Sequence, residues 1–177
     1  MTIEKIGIVG KGFVGSAVLH GFSPAVGCDS ETRVFDKDPI KSINSLEETV
    51  NNSEFVFISV PTPSKVNGSI DLSILESAMK DIEKVSTNDN TIFLIRSTVI
   101  PGTTQSLQSK FSKLKIVFNP EFLTERSANF DFINQSRYIF GGDKKNTEKT
   151  AELFKWRFGK AISVLETDYE SAELDLL

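Results

Sequence analysis

At 177 residues, with 39% hydrophobic and 25% charged side chains, the chain is long enough to bury one full-sized core and is read as a single domain. A net charge of −4 excludes a nucleic-acid coat, which needs a basic surface, and a single cysteine and a single histidine exclude an internal disulfide and a Cys- or His-cluster metal site. No apolar run approaches the roughly eighteen residues of a membrane span, and Glu4 and Lys5 interrupt any leader, so no membrane association is expected and the cytoplasm is the expected compartment.

Taken in order, the chain opens on an apolar strand near Ile3–Val9 and turns on Gly10-Lys-Gly-Phe-Val-Gly15 into a helix near Phe13–Phe22. Gly10, Gly12 and Gly15 have the G-x-G-x-x-G spacing: a tight turn, a bare backbone that a pyrophosphate can approach, and a close contact between helix and strand. The N–H groups and positive end of that helix face the anion. A second strand, Thr32-Arg-Val-Phe35, ends at Asp36, twenty-one positions after Gly15. An acidic residue there accepts from both hydroxyls of an adenosine ribose and repels a 2′-phosphate, which favours NAD over NADP. Cys28 and His20 fall on the amino side of the sheet, away from this edge, and read as packing or solvated residues.

Ser45 and Glu48 form a capping box for a short helix, which leads to a third strand over Phe55–Val60. Pro61-Thr-Pro63 ends that strand, since proline cannot donate to a ladder. Asp71 can cap a long helix in which Leu72, Leu75, Met79, Ile82 and Val85 share a face. A fourth strand, Thr91–Ile95, runs into Arg96-Ser-Thr-Val-Ile-Pro-Gly102 and then a helix to about Phe111. The fifth strand, Lys115–Phe118, ends at Asn119-Pro-Glu-Phe-Leu123, with Glu125 and Arg126 in the following loop. A sixth strand over Arg137–Phe140 stops at Gly141-Gly142, a helix covers Thr147–Phe158, a seventh strand covers Ala161–Val164, and Tyr169–Leu177 opens a last helix. Most of the fourteen phenylalanines lie in strand-like runs and read as core.

Alternation of strand and helix predicts an α/β fold of Rossmann type: a doubly wound, mostly parallel sheet of about six to eight strands with helices on both faces. Ligands of such sheets bind across the carboxyl edge, where this chain repeatedly places Gly, Pro, Ser, Thr, Asp or Glu.

With those motifs in view, the chain resembles the UDP-glucose/GDP-mannose 6-dehydrogenase family, specifically its N-terminal NAD-binding domain. The resemblance rests on Gly10-x-Gly12-x-Val14-Gly15, Asp36, Val60-Pro-Thr-Pro63, Ser97-Thr-Val-x-Pro-Gly-Thr103 and Asn119-Pro-Glu-Phe-Leu123 with Glu125 and Ala128, together with Arg137 and Gly141-Gly142. It implies oxidation of a nucleotide sugar's C6 alcohol to a carboxylate in two hydride transfers to NAD, with a cysteine holding the aldehyde-level carbon. By matching position it implies NAD contacts from Gly10, Gly12, Phe13, Val14, Gly15, Asp36, Val60, Pro61, Thr62, Pro63, Ser97 and Glu125. Glu121 becomes the acid/base carboxylate, Thr98 helps place the hydrolytic water, and Phe122 and Leu123 offer backbone to the nucleotide sugar. The residues suit those tasks: a carboxylate flanked by Pro120 and Phe122 is partly desolvated, a setting for proton exchange, although Glu121 can also bridge its own loop to Arg126 and Thr98 can simply cap a helix.

The departures are also legible. The family's Gly-x-Gly-x-Cys segment is not found, and Cys28 precedes the second strand, at the wrong edge to replace it. Residues 168–177 match the opening of the family's central helix at Ala172-Glu173-Leu174, but Leu176 stands where the family has a lysine. The expected organisation is therefore one NAD-binding domain over residues 1–177, without the substrate domain and dimerisation helix and inactive alone. The segment after Asp36 is short, so the second crossover is expected to shrink toward a loop. Two other readings stay open: a non-catalytic module for NAD or a nucleotide sugar, and a fragment of a 6-phosphogluconate or hydroxyacid-type dehydrogenase.

Overall fold

The structure is a computed structural model and describes residues 3–175. Its elements are β1 (Lys5–Val9), α1 (Phe13–Gly21), β2 (Glu31–Phe35), α2 (Leu46–Asn51), β3 (Phe55–Ile58), α3 (Ser73–Val85), β4 (Ile92–Ile95), α4 (Thr103–Lys110), β5 (Lys115–Phe118), α5 (Ala128–Ile133), β6 (Arg137–Gly142), α6 (Lys144–Phe158), β7 (Ser163–Thr167) and α7 (Tyr169–Leu174). The strands form one seven-stranded sheet in the order β2-β1-β3-β4-β5-β6-β7, parallel except where β6 meets β5. Helices cover both faces, as the α/β reading requires.

Parallel strands buried on both faces need apolar residues at every position, and β3 (Phe-Val-Phe-Ile) and β4 (Ile-Phe-Leu-Ile) supply them. Alternate residues go to opposite cores. Ile8, Phe57, Leu94 and Phe140 pack under α1, α5 and α6, whereas Ile58, Ile95, Phe118 and Ile139 pack under α3, α4 and α7. The first core is aromatic: Phe22, Phe57, Phe132 and Phe154 meet at ring-centroid distances of 5.6 to 6.5 Å. Full burial of one such ring contributes about 2–3 kcal/mol.

Local signals set several boundaries as the sequence implies. Ser45 and Glu48 close a reciprocal capping box on α2, Ser45 Oγ accepting from the Glu48 N–H and Glu48 from the Ser45 N–H. The second crossover thus keeps a helix rather than shrinking to a loop. Asp71 Oδ1 accepts from the N–H of Ser73, the first residue of α3, although the N-cap position itself is Leu72.

Four expectations need correction. The sixth strand continues through Gly141 and Gly142, because its antiparallel pairing with β5 uses those residues, Gly141 opposite Phe118 and Gly142 opposite Val117. Asp143 caps α6, which starts at Lys144 rather than Thr147. The seventh strand is Ser163–Thr167, shifted toward the C-terminus from Ala161–Val164. A helix, α5, occupies Ala128–Ile133 in what reads as loop, held by burial of Phe132 rather than by a side-chain cap. The last helix is seen over Tyr169–Leu174, and Leu176, read against the family's lysine, lies outside the described residues. Among the described residues no helix is long and apolar enough to cross a membrane.

Candidate functional site

Register creates the site. Phe35, Val9, Ile58, Ile95 and Phe118 lie side by side as the last ladder partners of β2, β1, β3, β4 and β5. The next residues, Gly10, Ser59, Arg96 and Asn119, each donate one further N–H, at 2.9 Å, to the strand alongside. The carboxyl edge is therefore a continuous shelf running from Asp36 through Gly10, Ser59 and Arg96 to Asn119.

At one end of the shelf a cavity of about 520 Å³ lies between the glycine turn, the end of β2 and α3. Gly10, Gly12, Asp36, Val60 and Pro61 line it, so five of the sequence-selected residues converge on one space. The three glycines differ in what holds them. Gly10 has φ +93°, and a Cβ there would stand 2.6 Å from the Ser59 carbonyl oxygen. A Cβ on Gly15 would stand 1.9 Å from the Gly10 carbonyl oxygen, which explains how close α1 lies to its strand. A Cβ on Gly12 would meet nothing within 4 Å. Gly12 is the N-cap of α1, so unpaired N–H groups of the first turn border that open space.

Asp36 is half-buried at the tip of β2, and both of its oxygens are engaged. Oδ2 accepts from the Lys11 N–H at 2.6 Å and Oδ1 from the Asp38 N–H at 2.8 Å. Each oxygen keeps a further lone pair for an outside donor. Lys37 and Lys41 stand on the same wall. The opposite wall is α3, through Ile74, Ser77, Ala78 and Asp81. The sequence reading missed it, having used the neighbouring stripe of Leu75, Met79 and Ile82 that packs on the sheet. The i, i+4 pair Ile74 and Ala78 beside that stripe was the available signal.

Two hydroxyls tie the next loops together. Ser97 Oγ donates to the Val60 carbonyl at 2.7 Å, and Thr62 Oγ1 donates to the Thr98 carbonyl at 2.7 Å. Thr98 is exposed and five residues ahead of α4, so it does not cap that helix. Glu121 is half-buried and accepts from the Leu123 N–H at 2.8 Å, a bond within its own loop rather than one to Arg126. Phe122 and Glu125 are exposed on the same loop, Leu123 packs against the core, and Phe13, Val14 and Pro63 lie outside the cavity wall.

Beneath this loop lies Arg96, fully buried at the end of β4. Its Nη1 donates to Asn119 Oδ1, and its guanidinium stacks 5.3 Å from the centre of the Phe132 ring. Asn119 in turn donates to the Ile139 carbonyl at 3.1 Å, joining β4, β5 and β6. Burial pulls the Arg96 pKa down to about 10, partly opposed by Glu121 and Tyr138, so it stays cationic at neutral pH beneath the Glu121 loop. Sequence reading gave Arg96 no role. At the opposite edge Cys28 is buried in the first core, and burial raises its thiol pKa. Among the described residues no cluster of His, Cys, Asp and Glu is suited to a metal ion.

Comparison with known proteins agrees with this architecture. Residues 32–157 match the sequence model of the UDP-glucose/GDP-mannose dehydrogenase family, NAD binding domain. The glycine turn lies ahead of the matched segment and rests on its own geometry. The UDP-glucose 6-dehydrogenase of Campylobacter jejuni is 32% identical, aligning 96% of this chain with 50% of its own length. GDP-mannose dehydrogenase from Pseudomonas aeruginosa, solved as a ternary complex, superposes with a TM-score of 0.78 at 26% identity over 97% of this chain and 48% of that one. A UDP-glucose dehydrogenase from Pyrobaculum islandicum shares the fold at a TM-score of 0.78 and 24% identity, over 98% and 48% of the two chains. The chain thus spans about half the length of these relatives.

Proposed function

The chain belongs to the UDP-glucose/GDP-mannose dehydrogenase family, a family of NAD-dependent oxidoreductases, and from that premise we propose that residues 1–177 act as one NAD-binding unit of a nucleotide-sugar 6-dehydrogenase. The reaction is oxidation of a sugar C6 alcohol to a carboxylate, for which NAD, when bound, supplies the hydride acceptor. The observation that carries the reading is Gly12. Protein packing demands glycine at positions 10 and 15 but not at position 12, where the bare backbone borders open space at a helix N-terminus within reach of Asp36. That is the arrangement a pyrophosphate and its ribose need, and the residues present fit the cofactor.

In this reading the amides of Gly12 to Gly15 bind the pyrophosphate and Asp36 accepts from the ribose hydroxyls. Val60, Pro61, Thr62, Pro63, Ser97 and Glu125 form the rest of the cofactor wall. Glu121 moves protons at the reacting oxygen, and Thr98 orients the water that releases the acid. Leu123 and Phe122 present backbone to the nucleotide sugar. The bond from the Leu123 N–H to Glu121 Oε2 links the last two tasks, because a substrate acceptor that takes the Leu123 N–H frees a Glu121 lone pair. The chain's single cysteine is buried at the opposite edge, so a covalent step at this edge needs a thiol from outside these residues. Calorimetric titration of the chain with NAD tests the cofactor assignment. Saturable one-to-one binding is expected, and no binding at millimolar NAD overturns it.

A further inference from the structure

Glu173 is the one fully buried carboxylate among the described residues. Its Oε2 accepts from the Gly102 N–H at 2.6 Å and its Oε1 from the Thr104 N–H at 2.7 Å. Those amides open α4, whose N-cap residue, Gly102, is left-handed at φ 88° and has no side chain to cap with. A helix N-terminus carries unpaired donors and partial positive charge, which an anionic acceptor neutralises. Here the acceptor comes from α7, 69 and 71 residues further along the chain. Tyr169 makes the second contact between the two helices through its hydroxyl, 3.2 Å from Gln108 Oε1. Helices α4 and α7 therefore lie side by side in opposite directions.

The segment pinned by Glu173 is the one that carries Ser97 and Thr98. At its start Ser97 is bonded to the Val60 carbonyl. Within it Val99 is buried and Thr103 Oγ1 donates to the Ile100 carbonyl at 2.6 Å. At its end stand the two amides held by Glu173. Thr98 is exposed between fixed points, and among the described residues the distant side chain that bonds the far end is Glu173.

We propose that Glu173 is a positioning residue: by bonding the Gly102 and Thr104 amides it holds the Ser97–Gly102 loop in its cofactor-facing form, so that docking of α7 and binding of NAD strengthen each other. The coupling to NAD rests on the reading of Ser97 and Thr98 as parts of the site. Reciprocity is required, since any factor by which α7 docking tightens NAD is the factor by which NAD tightens α7 docking.

The test uses the ¹⁵N-labelled chain and its Glu173→Gln variant, which keeps the side chain's shape and removes its charge. Without cofactor, the variant is expected to keep the sheet's protected amides, to shift the Gly102 and Thr104 amide protons upfield, and to speed exchange at both by about tenfold or more. Its NAD affinity, measured where it is fully folded, is expected to fall several-fold. A merely structural carboxylate would lower the melting temperature and leave that affinity unchanged, which overturns the coupling. Unchanged shifts and exchange at Gly102 and Thr104 overturn the positioning role whatever NAD does. If the variant does not fold, the wild-type chain decides: saturating NAD is expected to slow exchange at Ala172 and Glu173, and equal rates with and without NAD overturn the proposal. Failure of the wild type to bind NAD at all removes the cofactor assignment and with it the coupling, while the cofactor-free exchange still judges the positioning role.

Discussion

Asp36 Oδ2 accepts a hydrogen bond from the Lys11 backbone N–H at 2.6 Å, joining the tip of β2 to the middle of the glycine turn across 25 positions of sequence. The carboxylate proposed to select the cofactor's ribose thus also braces the turn proposed to seat its phosphates.

Removing the carboxylate is expected to act on both. Asp36→Ala should weaken NAD by about tenfold to a hundredfold, the loss of hydrogen bonds to a charged acceptor at about 1.5–3 kcal/mol. NADP should weaken less, since a repelled 2′-phosphate gains while the turn loosens. Parallel calorimetric titrations give the ratio, and equal affinity of the wild type for the two cofactors would remove Asp36 from the ribose site.

Gly12 and Gly15 should separate binding from folding. In Gly12→Ala the new methyl meets nothing within 4 Å, so thermal stability should change by about 1 kcal/mol or less while NAD binding drops by more than about tenfold. In Gly15→Ala the methyl would sit 1.9 Å from the Gly10 carbonyl oxygen, so the chain should lose several kcal/mol of stability or fail to fold. Thermal melts beside NAD titrations read both effects. Intact NAD binding in Gly12→Ala would place the pyrophosphate elsewhere.

Ser97→Ala leaves the Val60 carbonyl without its 2.7 Å donor. About 1 kcal/mol of stability should be lost. A several-fold weaker NAD affinity should accompany it, because Val60 lines the cavity. Ser97→Thr, which keeps the hydroxyl, should restore most of the affinity, and failure to do so would point to the cavity's shape rather than the bond.

The alkaline limb of stability should be steep. Burial first, with Asp143 adding, raises the Tyr169 pKa to about 12, and burial does the same for Tyr138 against the opposing pull of Arg96 and Arg157. In the unfolded chain these phenols ionise near 10. Below that pH their contribution is complete, and it is lost as pH rises from about 10 through 12 while the unfolded state alone releases protons. Denaturant unfolding across this window should show a flatter decline in Tyr169→Phe. That variant should also be less stable near neutral pH, having lost the 2.8 Å bond to the Ile116 carbonyl.

The strands of the parallel half and the loops at their carboxyl ends were legible because fully buried strands must be apolar throughout. Phe55–Ile58 and Ile92–Ile95 are apolar at every position, and polar residues follow at once, Ser59 after the first and Arg96-Ser97 after the second. The direction of β6 was not legible, since an apolar run such as Tyr138-Ile-Phe140 has no polarity along the chain. Helix α5 escaped because six residues with two buried positions, Ala128 and Phe132, carry too little periodicity to distinguish from a loop. Arg96 and Glu173 escaped for another reason. Charged residues are read as solvent-facing by default, and only tertiary packing shows that these two are buried.

The one reversed strand decides where the backbone departs. Were β6 parallel to β5, the last strand would end at the carboxyl edge of the parallel strands and α7 would carry the chain away from it. Because β6 and β7 run the other way, α7 starts at the far rim and returns beside α4. It delivers Asp175 to within 3.5 Å of Arg137, whose guanidinium lies 5.9 Å from the centre of the Phe122 ring in the loop bearing Glu121. A backbone leaving Asp175 thus sets out beside the loop that bears Glu121, at the same rim of the sheet as the glycine turn.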